Sequence, residues 1–379
     1  MGHSDKGYIS PQSLPQASAT FHMIPYLPEE IGWECLIRVP HGTLPLLRRV
    51  CRRWKQATES PLFHRLRRST GSYDHIIIFL QAHPDISAAG RPSLPSYRLA
   101  ALHQSSGEWA PFPTIPLFPQ SLPLFCTLAA SGVHLVVIGG WDPETLTCSD
   151  AVYVYSFLSA TWSRGRPMPG PTRSFFASAA SPNNQVFVAG GHDEEKNALK
   201  SAMVYDIAKD EWTMLPEMAR ERDECTGVFE VNKAGLFRVV SGYCTSMQGR
   251  FERSAEAFDV GEWRWLPVEE EAVPEGECSK TCVVGGDGRI YVCGGGGKMV
   301  MVKEVDEWRA VAELPEDVRV APNMVAWGEG LMVTGTGGSG WPPAAYVLEM
   351  KLGVAIAWRR LAIPKKNSCF FHSACCVDV

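Results

Sequence analysis

The chain has 379 residues, with 36 Lys and Arg against 41 Asp and Glu, for a formal net charge of −5. Apolar residues make up 45% and charged residues 20%, enough for a large core; this excludes a bulk disordered chain, and the mild acidity gives no whole-chain reason to expect nucleic-acid binding. The 34 Gly and 28 Pro exceed the ordinary share and favour many turns over a helical bundle.

The first 20 residues are polar and small, without the apolar core of a signal peptide. Gly2 follows Met1, but Lys6 stands where myristoylation takes Ser or Thr. No apolar run reaches the ~18 residues of a spanning helix, so no membrane partner is expected. The 12 Cys are scattered through apolar stretches, and no Asn-x-Ser/Thr acceptor occurs, so reduced thiols and a cytoplasmic or nuclear location are expected.

Residues 1–22 lack periodicity and read as a flexible tail. Residues 23–70 read as a compact helical domain. Pro28 suits the first helical position, with Glu29 and Glu30 at the positive end of the helix dipole. Ile31, Cys35, Leu36 and Val39 recur at helical spacing until Pro40, His41 and Gly42 break the run. A second stripe follows in Leu46, Leu47, Val50, Cys51 and Trp54, and Ser60-Pro61 opens a third helix carrying Leu62, Phe63 and Leu66. A unit this small is near the lower limit of independent stability, so its stripes need a partner or a neighbouring domain.

From residue 73 to 379 short β-branched or aromatic runs alternate with Gly-rich turns, and a repeat appears. Its clearest copy runs through residues 174–180, 185–191 and 201–207 to Glu211-Trp212. The copies align on Trp109, Trp162, Trp212, Trp263, Trp308 and Trp358, 45 to 53 residues apart. Gly pairs end the second strand at Gly139-Gly140, Gly190-Gly191, Gly294-Gly295 and Gly337-Gly338, with Ser241-Gly242 in the third full copy. Such a repeat of four strands, a glycine pair and a late Trp resembles the kelch-type β-propeller. Residues 76–80, 97–101 and the Trp109 strand supply three strands at one end, and residues 370–377 an orphan at the other. Together they complete one blade and give six, the last strand closing the ring.

Leu27-Pro28, Ile31, Cys35-Leu36, Val39-Pro40, Leu46, the run Arg49 to Arg52, Trp54 and Ser60 to Phe63 fall in the order and spacing of an F-box, which this segment resembles. That resemblance implies docking to the Skp adaptor and, through it, to the cullin of an SCF ubiquitin ligase. Leu27, Pro28, Ile31, Leu36, Val39, Pro40, Val50, Cys51 and Trp54 would be the adaptor-binding residues. Eight basic residues from Arg48 to Arg68 interleave with the apolar stripe, and read as a solvated face or one turned to an acidic adaptor rather than a nucleic-acid patch.

Motifs for chemistry fail one by one. In the run 292–299, Val292 replaces the first glycine of a phosphate loop and Met299 the magnesium-binding hydroxyl. Cys278 with Cys282, and Cys375 with Cys376, lack paired zinc-ligand spacing. His192-Asp193-Glu194-Glu195 reads as a solvated acidic turn, and Trp341 stands where a nucleophile elbow needs glycine. No catalytic residue, metal or cofactor is expected.

In a propeller, the loops leading into the innermost strands and those after the second strands open on one face. Here they carry Arg173, Arg220, Arg222, Asp223 and Arg319, and Trp141, His192, Asp193, Glu194, Arg253 and Trp341, residue types that anchor protein interfaces. Residues 122–145, 175–225 and 258–265 are similar to plant F-box/kelch-repeat proteins, in particular the KISS ME DEADLY group. The similarity covers roughly residues 24–379. It implies a non-catalytic receptor that captures a protein for ubiquitination and proteasomal degradation, with phenylalanine ammonia-lyase of phenylpropanoid synthesis or type-B response regulators of cytokinin signalling as targets. The alternatives are a kelch scaffold without a ligase role and a copper-oxidase-like propeller enzyme.

Overall fold

The computed structural model describes residues 22–84, 94–231, 235–274, 281–305, 307–351 and 354–379. The expected tail, apart from His22, and Cys278 lie outside the described residues. The chain divides into two compact units, ending and beginning at Ser72 and Tyr73. No helix of the described residues is long and apolar enough to cross a membrane.

The first unit contains helices α1 (Glu29–Ile37), α2 (Leu44–Leu47), α3 (Arg52–Thr58) and α4 (Pro61–Ser69). Pro28 caps α1 rather than opening it, and Ser60 caps α4 by accepting the Phe63 amide at 3.2 Å. The second apolar stripe is not one helix: Cys51 is extended, and its thiol caps α3 by accepting the Trp54 amide. Met23, Leu36, Ile37, Leu44, Ala57 and Phe63 form a small core. Arg67 is buried, and its Nη1 donates to the carbonyls of Ile37 and Val39, satisfying acceptors at the end of α1. It is therefore not part of a solvated basic face.

The second unit is the expected six-bladed propeller, built from six four-stranded antiparallel sheets. From the axis outward, blade 1 holds Phe370–Asp378, His75–His83, Ser96–His103 and Trp109–Pro111. Blades 2, 3 and 4 begin at Thr127–Ser131, Ala177–Ser181 and Thr226–Glu230, and end at Thr161–Gly165, Glu211–Leu215 and Arg264–Trp265. Blades 5 and 6 begin at Val283–Val284 and Val320–Trp327, and end at Trp308–Glu313 and Val354–Leu361.

Burial explains the sequence of each strand. Six innermost strands converge on one axis, and small side chains keep them there: Ala177, Ser178, Ala179, Ala180 and Ser181 in blade 3, and Ser373, Ala374, Cys375 and Cys376 in blade 1. The second strands are covered on both faces, as in Val186, Phe187, Val188 and Ala189, and read as unbroken apolar runs. Six apolar clusters fill the six interfaces; between blades 2 and 3, for example, Val136 and Val152 meet Phe176, Val186 and Met203.

In five of the six blades the late Trp joins the blade to the one before. The indole Nε1 of Trp162 donates to Pro113 O, Trp212 to Arg166 O, Trp265 to Pro216 O, Trp358 to Glu313 O and Trp109 to Ala362 O, at 2.7–3.0 Å. In blade 4 this residue is Trp265, not Trp263. Trp263 sits in the hairpin turn with φ +56°, as do Ala160 (+56°) and Asp210 (+54°) in blades 2 and 3.

The closing strand pairs Ile76 with Val377 and Phe79 with Ala374. Gln81 Nε2 donates to Asn367 O at 2.8 Å, and Phe371 stacks edge-on to Phe79 at 5.1 Å. Phe371→Ala should therefore lower the unfolding free energy by about 3–5 kcal/mol, whereas Phe370→Ala, at the neighbouring exposed position, should cost under about 1 kcal/mol. Urea denaturation followed by tryptophan fluorescence checks both.

Candidate interaction surfaces

The adaptor-binding residues expected from sequence separate by burial. Pro28, Ile31, Pro40, Val50 and Cys51 are exposed, and Leu27, Val39 and Trp54 are half-buried. Leu36 is buried in the unit's own core and can act only by supporting α1. Trp54 is braced from within, its Nε1 donating to Met23 O at 2.7 Å. Leu46 and Leu62 add to the exposed apolar surface, with Ile31 at 47% and Val50 at 61% exposure.

On the propeller, Arg173 and Arg222 are not contact residues. Each is about 1% exposed. Arg173 Nη1 donates to Gly190 O and Ser201 O, and its Nη2 to Ser201 Oγ. Arg222 repeats the pattern one blade on, with Ser241 O, Ser254 O and Ser254 Oγ, and adds a buried ion pair to Glu256 at 3.1 Å. Both guanidiniums bind carbonyls at the start and end of the loop after the second strand. They fix the loops rather than meet a ligand.

The remaining expected residues are also partly committed to local structure. Arg220 pairs with Glu252 and Glu270, Arg253 Nε donates to Val273 O, and Arg319 is held by Leu314 O and Glu313. Asp193 accepts the Asn197 amide, and Glu194 accepts the Thr172 hydroxyl. Trp341 is 54% exposed.

Trp141, His192 and Asp223 come together with residues that sequence reasoning missed. Trp141, His192 and Tyr243 each follow a glycine of the pair position, and each bridges backbone to backbone with the loop leading into its own blade. Gly191 permits this approach: with φ +80°, a Cβ there would lie 2.4 Å from Ser174 O. Trp141 Nε1 donates to Ser174 Oγ, and His192 Nδ1 lies 2.9 Å from both carboxylate oxygens of the buried Asp223. Their rings meet Phe125 and Phe175, which also contact each other at 5.4 Å, and Phe125 meets His372 at 5.7 Å. Phe125, Phe175 and Glu224 hold corresponding places two residues before the innermost strand, with φ +58°, +54° and +48°. They line a cavity of about 280 Å³ at the axis. The signal was their place in the repeat, ahead of each small-residue strand.

Among the described residues, one group could offer three metal donors: His75, Cys376 and Asp378, whose ligand atoms lie within 4.8 Å of one another. His75 Nδ1 already pairs with Asp378 at 2.7 Å, and burial pushes the Cys376 thiol up to about 12. Cys126 and Cys282 are pushed up to about 12 and Cys225 to about 11, again by burial, which keeps these thiols protonated and unreactive at neutral pH. The described cysteines are free.

Arg222→Met should leave Glu256 as a buried carboxylate without its cation and cost about 3–5 kcal/mol of stability, with part recovered in Arg222→Met/Glu256→Gln. Urea melts of the single and double variants measure the recovery.

Comparison with known proteins agrees with both units. Residues 24–66 match the F-box domain family, and residues 125–308 match the KLHDC2/KLHL20/DRC7 Kelch-repeats domain. The F-box/kelch-repeat protein At1g80440 of Arabidopsis thaliana is 42% identical over 326 residues, spanning 83% of this chain and 90% of its own. The F-box/kelch-repeat protein At1g15670 of the same plant is 38% identical over 365 residues, spanning 94% and 99%. Among solved structures, that of YjhT matches with a TM-score of 0.55 at 12% identity, covering 69% of this chain and 90% of that one, a likeness of fold alone. With an F-box ahead of a kelch propeller and relatives alike along almost their whole length, the chain belongs to the F-box/kelch-repeat proteins.

Proposed function

We propose that this protein is a substrate receptor of an SCF ubiquitin ligase. The F-box implies a Skp adaptor and, through it, a cullin-based complex. The observation that carries the reading is a helical unit with its own small core that still exposes Ile31, Leu46, Val50 and Leu62. An apolar surface of this kind suits a partner protein better than water. Pro28, Pro40 and Cys51 belong to the same adaptor contact, with Leu27, Val39 and Trp54 supporting it.

The receptor itself is non-catalytic and works in the cytoplasm or nucleus. Its propeller holds a protein target, and tethering raises the effective concentration of the target's lysines at the conjugating enzyme. We place the chain with the KISS ME DEADLY group, which makes phenylalanine ammonia-lyase and type-B response regulators the first targets to examine. Trp141, His192, Asp193, Glu194, Arg220, Arg253, Arg319 and Trp341 remain candidate contacts at the target face.

The test is capture of purified Skp adaptor by the intact chain beside Ile31→Glu/Val50→Glu. Both positions are exposed, so the variant should melt as the wild type does and bind at least ~30-fold more weakly. Undiminished adaptor binding by the variant, or none by the wild type, would remove the receptor reading.

A further inference from the structure

The strand that closes the ring brings three metal-binding side chains to one face of one ladder. His75 opens the second strand of blade 1 and stands directly opposite Asp378 of the closing strand, and Cys376 lies two residues before Asp378. Alternate residues of a strand share a face, and opposed residues of an antiparallel pair share it too. The donor atoms, an imidazole nitrogen, a thiol sulfur and a carboxylate oxygen, all lie within 4.8 Å of one another. This face is turned to blade 6, where Ile77 packs with Val325 and Trp327 and Cys376 lies against the same cluster.

A fourth polar group extends the row. Gln104 stands on the other side of His75, its backbone amide donating to His75 O at 3.0 Å. Its side chain also turns to blade 6, since a Cβ added at Gly328 would lie 3.1 Å from Gln104 Nε2. Gln104 Oε1 is shielded from solvent and has no hydrogen-bond partner among the described residues. A buried acceptor of this kind is costly unless something donates to it.

We propose that His75, Cys376 and Asp378 bind one zinc ion, which staples the closing strand to blade 1. The mixed donor set selects the metal: zinc takes nitrogen, sulfur and oxygen together, whereas magnesium and calcium take oxygen and iron–sulfur clusters take thiolates. His75 Nδ1 and Asp378 Oδ1 are 2.7 Å apart and hold a hydrogen between them. Tetrahedral zinc sets its ligands about 3.4–3.7 Å apart, so side-chain rotations of about an ångström admit the ion. Binding moves that hydrogen to His75 Nε2 and releases the Cys376 thiol proton to solvent. Burial keeps this thiol protonated without metal, and a coordinated thiol is deprotonated outright. A water completes the tetrahedron and donates to Gln104 Oε1, which gives that atom its partner. The His75 and Asp378 side chains are 31% and 28% exposed, which leaves the ion a way in. The ligands come from the two strands that join the propeller's ends, so the binding free energy of zinc adds to ring closure.

The test uses the full-length protein, stripped of metal with a chelator and kept reduced. Zinc titrated against a chromophoric chelator should bind at about one ion per chain with a Kd of about 1 μM or tighter, and should raise the melting temperature. Cobalt in its place should give a thiolate-to-metal charge-transfer band. Cys376→Ser should remove the band and weaken zinc binding about tenfold or more, and His75→Gln should weaken it alike. Cys375→Ser, a neighbouring thiol that packs on the other face against the blade 1–2 cluster, should change neither. Thermal melts confirm the fold of each variant, while the stoichiometry and the wild-type cobalt band need no variant. Less than about half an ion per chain, or no cobalt band in the wild type, would overturn the proposal. Zinc held equally well by a folded Cys376→Ser would place it on another thiol, such as the exposed Cys35 or Cys51, and would overturn it too.

Discussion

Everything in the propeller depends on a pairing between strands at its opposite ends. Phe370–Asp378 lies beside His75–His83, and without it blade 1 would lack its innermost strand and the ring would present two raw edges. Closing a loop of some 300 residues costs about 5 kcal/mol of chain entropy beyond a constant term, because the cost rises only with the logarithm of length. The intervening blades shorten that search, since each one places the next within reach. The return is a full set of ladder hydrogen bonds plus the burial of Phe371 and Val377, and the buried Gln81–Asn367 contacts hold the closing segment in place. Trp109 adds a second closure at the periphery by reaching Ala362.

The same economy of design is repeated around the ring, and it separates stability from recognition. Positions alike from blade to blade do structural work. The outer-strand indoles reach back to the preceding blade, and Arg173 and Arg222 hold loop carbonyls in identical fashion. Positions that differ between blades do not. Phe125, Phe175 and Glu224 share one backbone position and one unusual φ, yet they present two rings and a carboxylate to the axis. Trp141, His192 and Tyr243 likewise share a place and differ in chemistry. A side chain that a repeat keeps is serving the repeat, and one that the repeat lets vary is free to serve a ligand.

That distinction also explains what the sequence disclosed. The blade count, the closing strand and the helical unit were legible because they rest on periodicity and on the two chain ends. The arginines misled because their type is common at interfaces, whereas their burial depends on a loop folding over them from the next strand, which no local pattern states. Even spacing points to Trp263 as the repeat residue, whereas Trp265 holds that place. The correct choice was within reach of counting: Trp162, Trp212 and Trp265 each lie six residues beyond Ser156, Asp206 and Asp259, the last residues of their third strands. Asp206 and Asp259 turn the chain alike, each accepting two amides just ahead.

Blade 5 shows the converse. Its innermost strand spans only Val283–Val284, and Trp308 has a buried Nε1 without a partner among the described residues, where the other late tryptophans donate to the preceding blade. Blade 4 before it has an outer strand of two residues, Arg264–Trp265, followed by a bridge between Glu269 and Ala255. The seam between blades 4 and 5 is held by apolar packing of Val228, Val240, Ala255 and Ile290 and by the Lys303–Glu269 ion pair rather than by an indole bond. A ring tolerates one such seam because each blade is held from both sides, and closure at Phe370–Asp378 distributes that support to every interface. The aromatic side chains at the axis, His372, Phe125 and Phe175, belong to blades 1, 2 and 3, whose indole bonds are intact.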